Sequence, residues 1–141
     1  MKTAVIVYRS RTGTTRRLAN EIGEHLGGRG IETQVTSVGE CDPATLAAAD
    51  LVLLGCWTGG LMVIRQHPDQ LWIDFAREVP ALAGPRVGLF TTYKLATGSM
   101  FAKMREHLGD RVGSIALELK SRDGRLTDRH RRALDRFVWE R

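Results

Sequence analysis

Cysteine is scarce: Cys41 and Cys56 are the only two among 141 residues, and no C-x-x-C occurs. That argues against a disulfide scaffold and suggests free thiols in a reducing cytoplasm. The four histidines, His25, His67, His107 and His130, are scattered without ligand spacing, so no metal centre is expected. No apolar run approaches the roughly 20 residues that span a bilayer. Lys2 leads straight into strand pattern, without the layout of a signal peptide. Enzyme signatures are missing too. There is no G-x-S-x-G. Gly55 and Gly60 have the spacing of a nucleotide-binding P-loop, but Leu61 stands where its lysine belongs. Gly28 and Gly30 follow a helix pattern rather than a strand, which removes them as a dinucleotide motif. Acidic residues are outnumbered, 16 against 21 Lys and Arg, and most of the resulting +5 lies in Lys120–Arg141. With 43% hydrophobic and 26% charged residues the composition is that of an ordinary globular chain. Its length suits one domain, residues 1–141, with a sizeable core.

What is present begins near the N-terminus. The apolar run Ala4–Val7 ends in Ser10-Arg11-Thr12-Gly13-Thr14-Thr15, and a helical pattern follows, with Leu18, Ile22 and Leu26 four residues apart. Strand, hydroxyl-rich turn and helix together present N–H and O–H donors at a helix N-terminus, where the helix dipole favours an anion such as phosphate. Gly13 can take the backbone angles that a nest of N–H groups needs. Ser10, Thr12, Thr14 and Thr15 can donate O–H bonds without carrying charge. One such hydroxyl would serve as an ordinary N-cap. Four within six residues, around a glycine, exceed what a cap requires and point to an anion site.

Five strand patterns, Thr3–Tyr8, Glu32–Val38, Asp50–Gly55, Arg86–Thr91 and Gly113–Leu119, alternate with helical ones, which predicts parallel β-α-β units. AVIV, LVLL and VGLF are continuous apolar runs, as expected of strands covered on both faces. ETQVTSV and SIALEL alternate, so the second and fifth strands read as edges. Right-handed crossovers then give the order 2-1-3-4-5 in a three-layer α/β/α sandwich. The first helix covers Thr14–Leu26 and stops at Gly27-Gly28. Asp42-Pro43 opens a short Ala-rich helix to about Ala48. Pro68 opens the next, with Leu71, Phe75 and Val79 facing the sheet. Ser99 opens another, with Phe101, Met104 and Leu108 inward. The last runs from about Thr127 to Trp139. It puts Leu126, His130, Ala133, Leu134 and Phe137 on one face, with His130 as a packing residue. Arg129, Arg132 and Arg136 form a separate stripe, either a solvated face or a docking surface. No aromatic platform accompanies them, so nucleic acid is not the expected partner.

The pattern Y-x-S-x-T-G-x-T-x-x-x-A, carried by Tyr8, Ser10, Thr12, Gly13, Thr15 and Ala19, resembles the phosphate loop of flavodoxins, and it follows the first strand as theirs does. The chain length is similar to that of the short-chain members. The resemblance implies a flavodoxin-like fold with FMN as cofactor. In this topology ligands sit beyond the carboxyl ends of the strands, where the loops Ser10–Thr15, Cys56–His67 and Thr92–Gly98 meet. Arg11 and Thr14 complete the first loop. Thr58 matches the family hydroxyl that joins the phosphate site. Gly59 stands where many members place an aromatic over one flavin face. Trp57 comes one position early and has two readings, a core residue or a ring swung over the flavin; Met62 is another substitute for the missing contact. Tyr93 lies where an outer stacking aromatic could sit, its other reading being a surface aromatic capping the sheet end. Thr91 and Thr92 could bond the pyrimidine edge. Lys94 departs from a rim that is normally acidic in this family.

In such a protein the flavin supplies the redox chemistry, so no side chain is assigned as acid, base or nucleophile. Cys56 reads as a small buried residue with no base beside it. The resemblance implies electron transfer between redox partner proteins in the cytoplasm. The surplus of Arg9, Arg11, Arg16, Arg17 and Lys94 around the site loops suits a partner with an acidic face. Two further readings stay open. One is an FMN-dependent oxidoreductase acting on a quinone or similar small oxidant. The other is a module that kept the fold and lost the flavin.

Overall fold

The computed structural model describes residues 1–61 and 64–140. Its three continuous apolar runs form β1 (Thr3–Arg9), β3 (Leu51–Trp57) and β6 (Arg86–Thr92). The polar, alternating runs form β2 (Glu32–Ser37) and β7 (Ile115–Ser121). These five make one parallel sheet in the order β2-β1-β3-β6-β7, the 2-1-3-4-5 order expected from strand texture. The texture works because a strand covered on both faces has no use for alternation: Leu51 through Cys56 are all buried, whereas β7 buries only Leu119 and Ser121. β4 (Gly59–Leu61) and β5 (Ile64–His67) form an antiparallel pair outside the sheet. Sequence pattern carries no sign of this hairpin.

Helices close the sandwich on both sides. On one face α1 (Thr14–Gly28) and α4 (Asp128–Trp139) bury Leu18, Ile22, Leu26, Leu134 and Phe137 against Ile6, Leu53 and Phe90. On the other, α2 (Gln70–Glu78) and α3 (Met100–Leu108) bury Trp72, Phe75, Met100 and Met104 against Val7, Val52 and Leu54. Each such side chain contributes roughly 1.5–3 kcal/mol on leaving water. The close fit is plain at Gly55, where a Cβ would lie 2.1 Å from the Phe90 ring. The Ala-rich segment is a 3-10 turn, Pro43–Ala48, capped by the Asp42 carboxylate accepting from the Ala44 amide.

Two helix assignments differ from the sequence reading. α2 begins after Asp69, not at Pro68, and buries Trp72, Phe75, Ala76 and Val79, while Leu71 is 53% exposed. The i, i+3, i+4, i+7 stripe outcompetes the bare four-residue spacing because it fits the 3.6-residue turn. His130 is only half-buried and has a specific task. Its Nδ1 accepts from the Thr127 amide at 3.1 Å, and the Thr127 hydroxyl accepts from the His130 amide at 3.2 Å. This reciprocal pair is a capping box in which histidine takes the usual place of Glu or Gln.

The strand register decides where the loops begin. Arg9 pairs with Cys56, Cys56 with Thr91, and Trp57 with Thr92. The interior strands therefore end level, and the loops that leave them start from one line.

The capping box makes α4 sensitive to acid. Burial holds the His130 ring below the ordinary histidine range, so its Nδ1 stays free to accept. A folded-state value below the unfolded one contributes stability that is present above about pH 6.5 and lost as pH falls through the folded value. We expect wild type to lose stability between pH 7.5 and 5, up to the roughly 0.5–2 kcal/mol of an N-cap. His130→Gln, which can accept without titrating, should lose much less. Equal losses in denaturant unfolding at the two pH values would rule the explanation out.

Candidate functional site

At the level edge of the sheet, threonine hydroxyls tie one loop to the next. Thr15 Oγ1, at the start of α1, lies 2.6 Å from Thr92 Oγ1 at the end of β6. Thr91 Oγ1 donates to the Cys56 carbonyl at 2.6 Å, so in the 2.7 Å contact between Thr58 and Thr91 the hydroxyl of Thr58 is the donor. The Thr58 amide donates to the Thr92 carbonyl. Thr15, Thr91 and Thr92 are buried, and buried hydroxyls keep their partners because losing one costs about 1–3 kcal/mol.

α1 starts without a cap. Its N-cap residue is Gly13, with φ +98°, and no side chain accepts from the first turn; the first turn holds no acidic residue either. The nearby hydroxyls are turned to other uses. Ser10 Oγ accepts from the Gly13 amide at 3.0 Å and shapes the turn. Thr15 is engaged with Thr92. The first N–H groups of a helix have no intrahelical acceptor, so this end carries unmatched donors and the positive end of the dipole.

The second loop is built differently. Gly59 pairs with His67 across the β4–β5 hairpin, and a Cβ on Gly59 would come within 3.0 Å of the His67 ring. The hairpin also turns through Gly60 at φ +129°, where a Cβ would lie 2.6 Å from the Arg65 carbonyl. Any side chain at position 59 would press on His67 and need the hairpin to give. Trp57 supplies aromatic surface instead. Half-buried, it lies in the cavity wall, its Nε1 donates to Asp69 Oδ2 at 2.9 Å, and the Arg11 guanidinium sits 5.2 Å from its ring centre. The core reading holds in part, since the residue packs against the adjoining core while it lines the cavity. Met62 lies outside the described residues. Cys56 is fully buried, and burial pushes its thiol up to about 12, so it is a protonated packing residue at neutral pH.

These loops enclose a cavity of about 640 Å³, within the range of small-molecule and cofactor sites. Nine of the twelve residues singled out in the sequence line it: Arg11, Thr12, Thr14, Thr15, Trp57, Thr58, Gly59, Thr92 and Tyr93. Gly13 and Thr91 stand behind the wall, Thr91 with its hydroxyl committed to Cys56. Ser10 borders a second cavity of about 510 Å³, beside Tyr8, Cys41 and Phe75. The first cavity adds Gly60, Gln66, Lys94, Leu95, Ala96 and Arg122. Gln66 is buried against Gly98, and Arg122 arrives from beyond β7. No local motif marks either residue. Arg122 and Lys120 flank the Tyr93 ring at 5.5 and 5.8 Å from its centre. Among the described residues, Arg11, Lys94, Lys120 and Arg122 form no ion pair, whereas Arg9, Arg29, Arg105 and Arg131 each pair with a carboxylate.

A family model described as flavodoxin matches residues 6–132. A curated flavodoxin of Megasphaera elsdenii is 29% identical over 111 residues, 78% of this chain and 79% of that protein. The solution structure of the two-electron reduced flavodoxin of Megasphaera elsdenii superposes with a TM-score of 0.74 at 21% identity, covering 96% of this chain and 97% of that one. Oxidised flavodoxin 1 of Bacillus cereus gives 0.72 at 20% identity, covering 99% of each.

The hydroxyl pair between Thr15 and Thr92 is open to a direct check. Thr15→Val or Thr92→Val alone leaves a buried hydroxyl without its partner and should cost about 1–3 kcal/mol in urea unfolding. The double variant should cost clearly less than the two losses together, because both polar groups are then gone. Strict additivity would show that the two hydroxyls do not depend on each other.

Proposed function

The chain belongs to the flavodoxin family, whose members are FMN-binding electron-transfer flavoproteins, and on that premise we propose that it shuttles electrons between redox partner proteins, its FMN held in the cavity walled by the Thr12–Thr15 turn, Trp57 and Tyr93. The observation that carries this reading is the uncapped first turn of α1. Four hydroxyls surround it and none caps it, so among the described residues its N–H donors have no side-chain acceptor. Neutral hydroxyls and backbone donors fit a phosphate without carboxylates to repel it.

Bound FMN supplies reversible electron uptake; the chain's residues bind, orient and tune. The amides of the first turn, with Thr12, Thr14 and Thr15, would hold the phosphate. Trp57 and Tyr93 would flank the ring, and Thr92 together with the backbone at the end of β6 would meet its polar edge. Buried Cys56 takes no part. The unpaired cations Arg11, Lys94, Lys120 and Arg122 surround the mouth beside Leu95, which is 52% exposed. An apolar residue within a rim of one charge suits a protein partner with an acidic docking face. No helix among the described residues is long and apolar enough to cross a membrane, and a cytoplasmic carrier fits the free thiols.

The phosphate reading is tested by ligand choice. FMN should bind far more tightly than riboflavin, and Thr12→Ala should weaken FMN by roughly 1.5–3 kcal/mol, as expected of a hydrogen bond to a charged group, with little change in the unfolding of the apoprotein. Equal affinity for the two flavins would remove the phosphate site. A colourless protein that leaves added FMN fluorescence unquenched would favour a module without flavin, and steady turnover of a quinone with a nicotinamide donor would favour a reductase.

The rim charges should also act on the flavin. Unit charges 10 Å apart interact by roughly 1–2 kcal/mol at an effective dielectric near 20, on the order of tens of millivolts for one electron. Lys94→Glu should therefore make the most negative reduction potential of the bound flavin more negative, by an amount that shrinks as salt is added. A redox titration that finds no change at low ionic strength would show that these charges do not reach the flavin.

A further inference from the structure

Asp69 lies outside every motif recognised in the sequence, yet its carboxylate joins three elements at the edge of the cavity. Oδ1 accepts from the Leu71 amide at 2.8 Å and caps α2. Oδ2 accepts from the Trp57 indole at 2.9 Å and lies 3.3 Å from Arg9 Nε, which comes from the end of β1. The Asp69 amide donates to Cys56 Sγ at 3.3 Å, so the backbone is anchored as well. The side chain is only 14% exposed. Partial burial pushes the carboxyl upward, but the Leu71 amide, the indole and Arg9 outweigh it and hold the group below its usual range. The carboxylate is therefore charged and fully engaged at neutral pH.

We propose that Asp69 is a positioning residue, whose bond to the indole N–H fixes the Trp57 ring as a rigid wall of the flavin cavity. This rests on the reading of that cavity as the FMN site. Trp57 stands on the last residue of β3, where the chain leaves the sheet for a glycine-rich hairpin, and backbone alone does not hold a large half-buried ring. The bond at its edge and Arg11 over its face supply the restraint. A ring held in place beforehand spares the ligand the entropy of ordering it, a saving of the size that separates affinities by up to about tenfold. The two oxygens divide the work: Oδ1 serves the helix cap, while Oδ2 accepts from the indole and faces Arg9.

Three variants separate this role from the helix cap. Asp69→Ser keeps a cap for α2 but is too short to reach the indole. Asp69→Asn loses the charge and keeps a single acceptor oxygen, enough for the Leu71 amide or the indole but not for both. Trp57→Phe keeps a ring and loses the N–H. Asp69→Ser should weaken FMN about tenfold and brighten the bound flavin. In the apoprotein it should shift tryptophan emission, and that shift should be absent in the Trp57→Phe background. Asp69→Asn, with one oxygen for two N–H groups, should fall between Asp69→Ser and wild type in affinity, quenching and emission. With Trp57→Phe already present, adding Asp69→Ser should leave FMN affinity unchanged. The proposal is overturned if Asp69→Ser binds and quenches FMN as wild type does, if its apoprotein emission is unshifted, or if its effect persists without the indole N–H. Wild type that fails to bind FMN would overturn the functional reading itself, a result recognisable because it needs no variant.

Discussion

Three buried strands that end on one line are the constraint on which the whole site depends. β1, β3 and β6 are apolar throughout because both their faces are covered, and their hydrogen-bonded register brings Arg9, Cys56 and Thr91 side by side. Every loop after them must leave from the same edge, with backbone groups that no further strand can satisfy. The chain meets that demand with short hydroxyl side chains. Thr15 with Thr92, and Thr58 with Thr91 and the Cys56 carbonyl, bind the loops across the strand ends and leave the cavity between them. The rigidity of the site is thus borrowed from the sheet.

Much of this is legible in the sequence because it depends on short-range pattern. Unbroken apolar runs mark interior strands and alternation marks edges, which is enough for the sheet order. A glycine among four hydroxyls after the first strand marks the turn where α1 begins uncapped. The hairpin is not legible, since seven residues containing two glycines carry neither a period nor strand propensity. Its consequence for position 59 is hidden with it, because it is the pairing with His67 that crowds a side chain there. Gln66 and Arg122 come to the cavity from distant elements, and nothing in their own neighbourhood announces it. Asp69 does leave a trace: an aspartate between a proline and a helical pattern is a good cap. Assigning that opening to Pro68 instead shifts the phase of α2 and turns Leu71 inward in place of Trp72.

Charge is distributed unevenly. Several cations find carboxylates: Arg29 and His25 share Asp135, Arg131 takes Asp128, Arg105 takes Glu118, and Arg9 takes Asp69 at the cavity edge. Exposed pairs of this kind contribute little to stability, but they cancel field. Arg11, Lys94, Lys120 and Arg122 have no such partners among the described residues, so their field is not cancelled. The basic C-terminal segment keeps most of its charge: among the described residues Arg131 is its one cation in an ion pair, with Asp128, while Asp135 serves Arg29 and His25.

The uncapped start of α1 has a meaning for the life of the chain as well as for its chemistry. A helix end with unmatched donors is the part of a fold least opposed to opening. A ligand that fills it stabilises the whole domain by mass action, by about 2.7 kcal/mol at a hundredfold excess over its dissociation constant. If the flavin phosphate is that ligand, the abundance of the protein in a cell would be coupled to the supply of its cofactor. Molecules made when flavin is plentiful would be loaded and persist, and those made in scarcity would stay nearer the threshold at which proteases remove them.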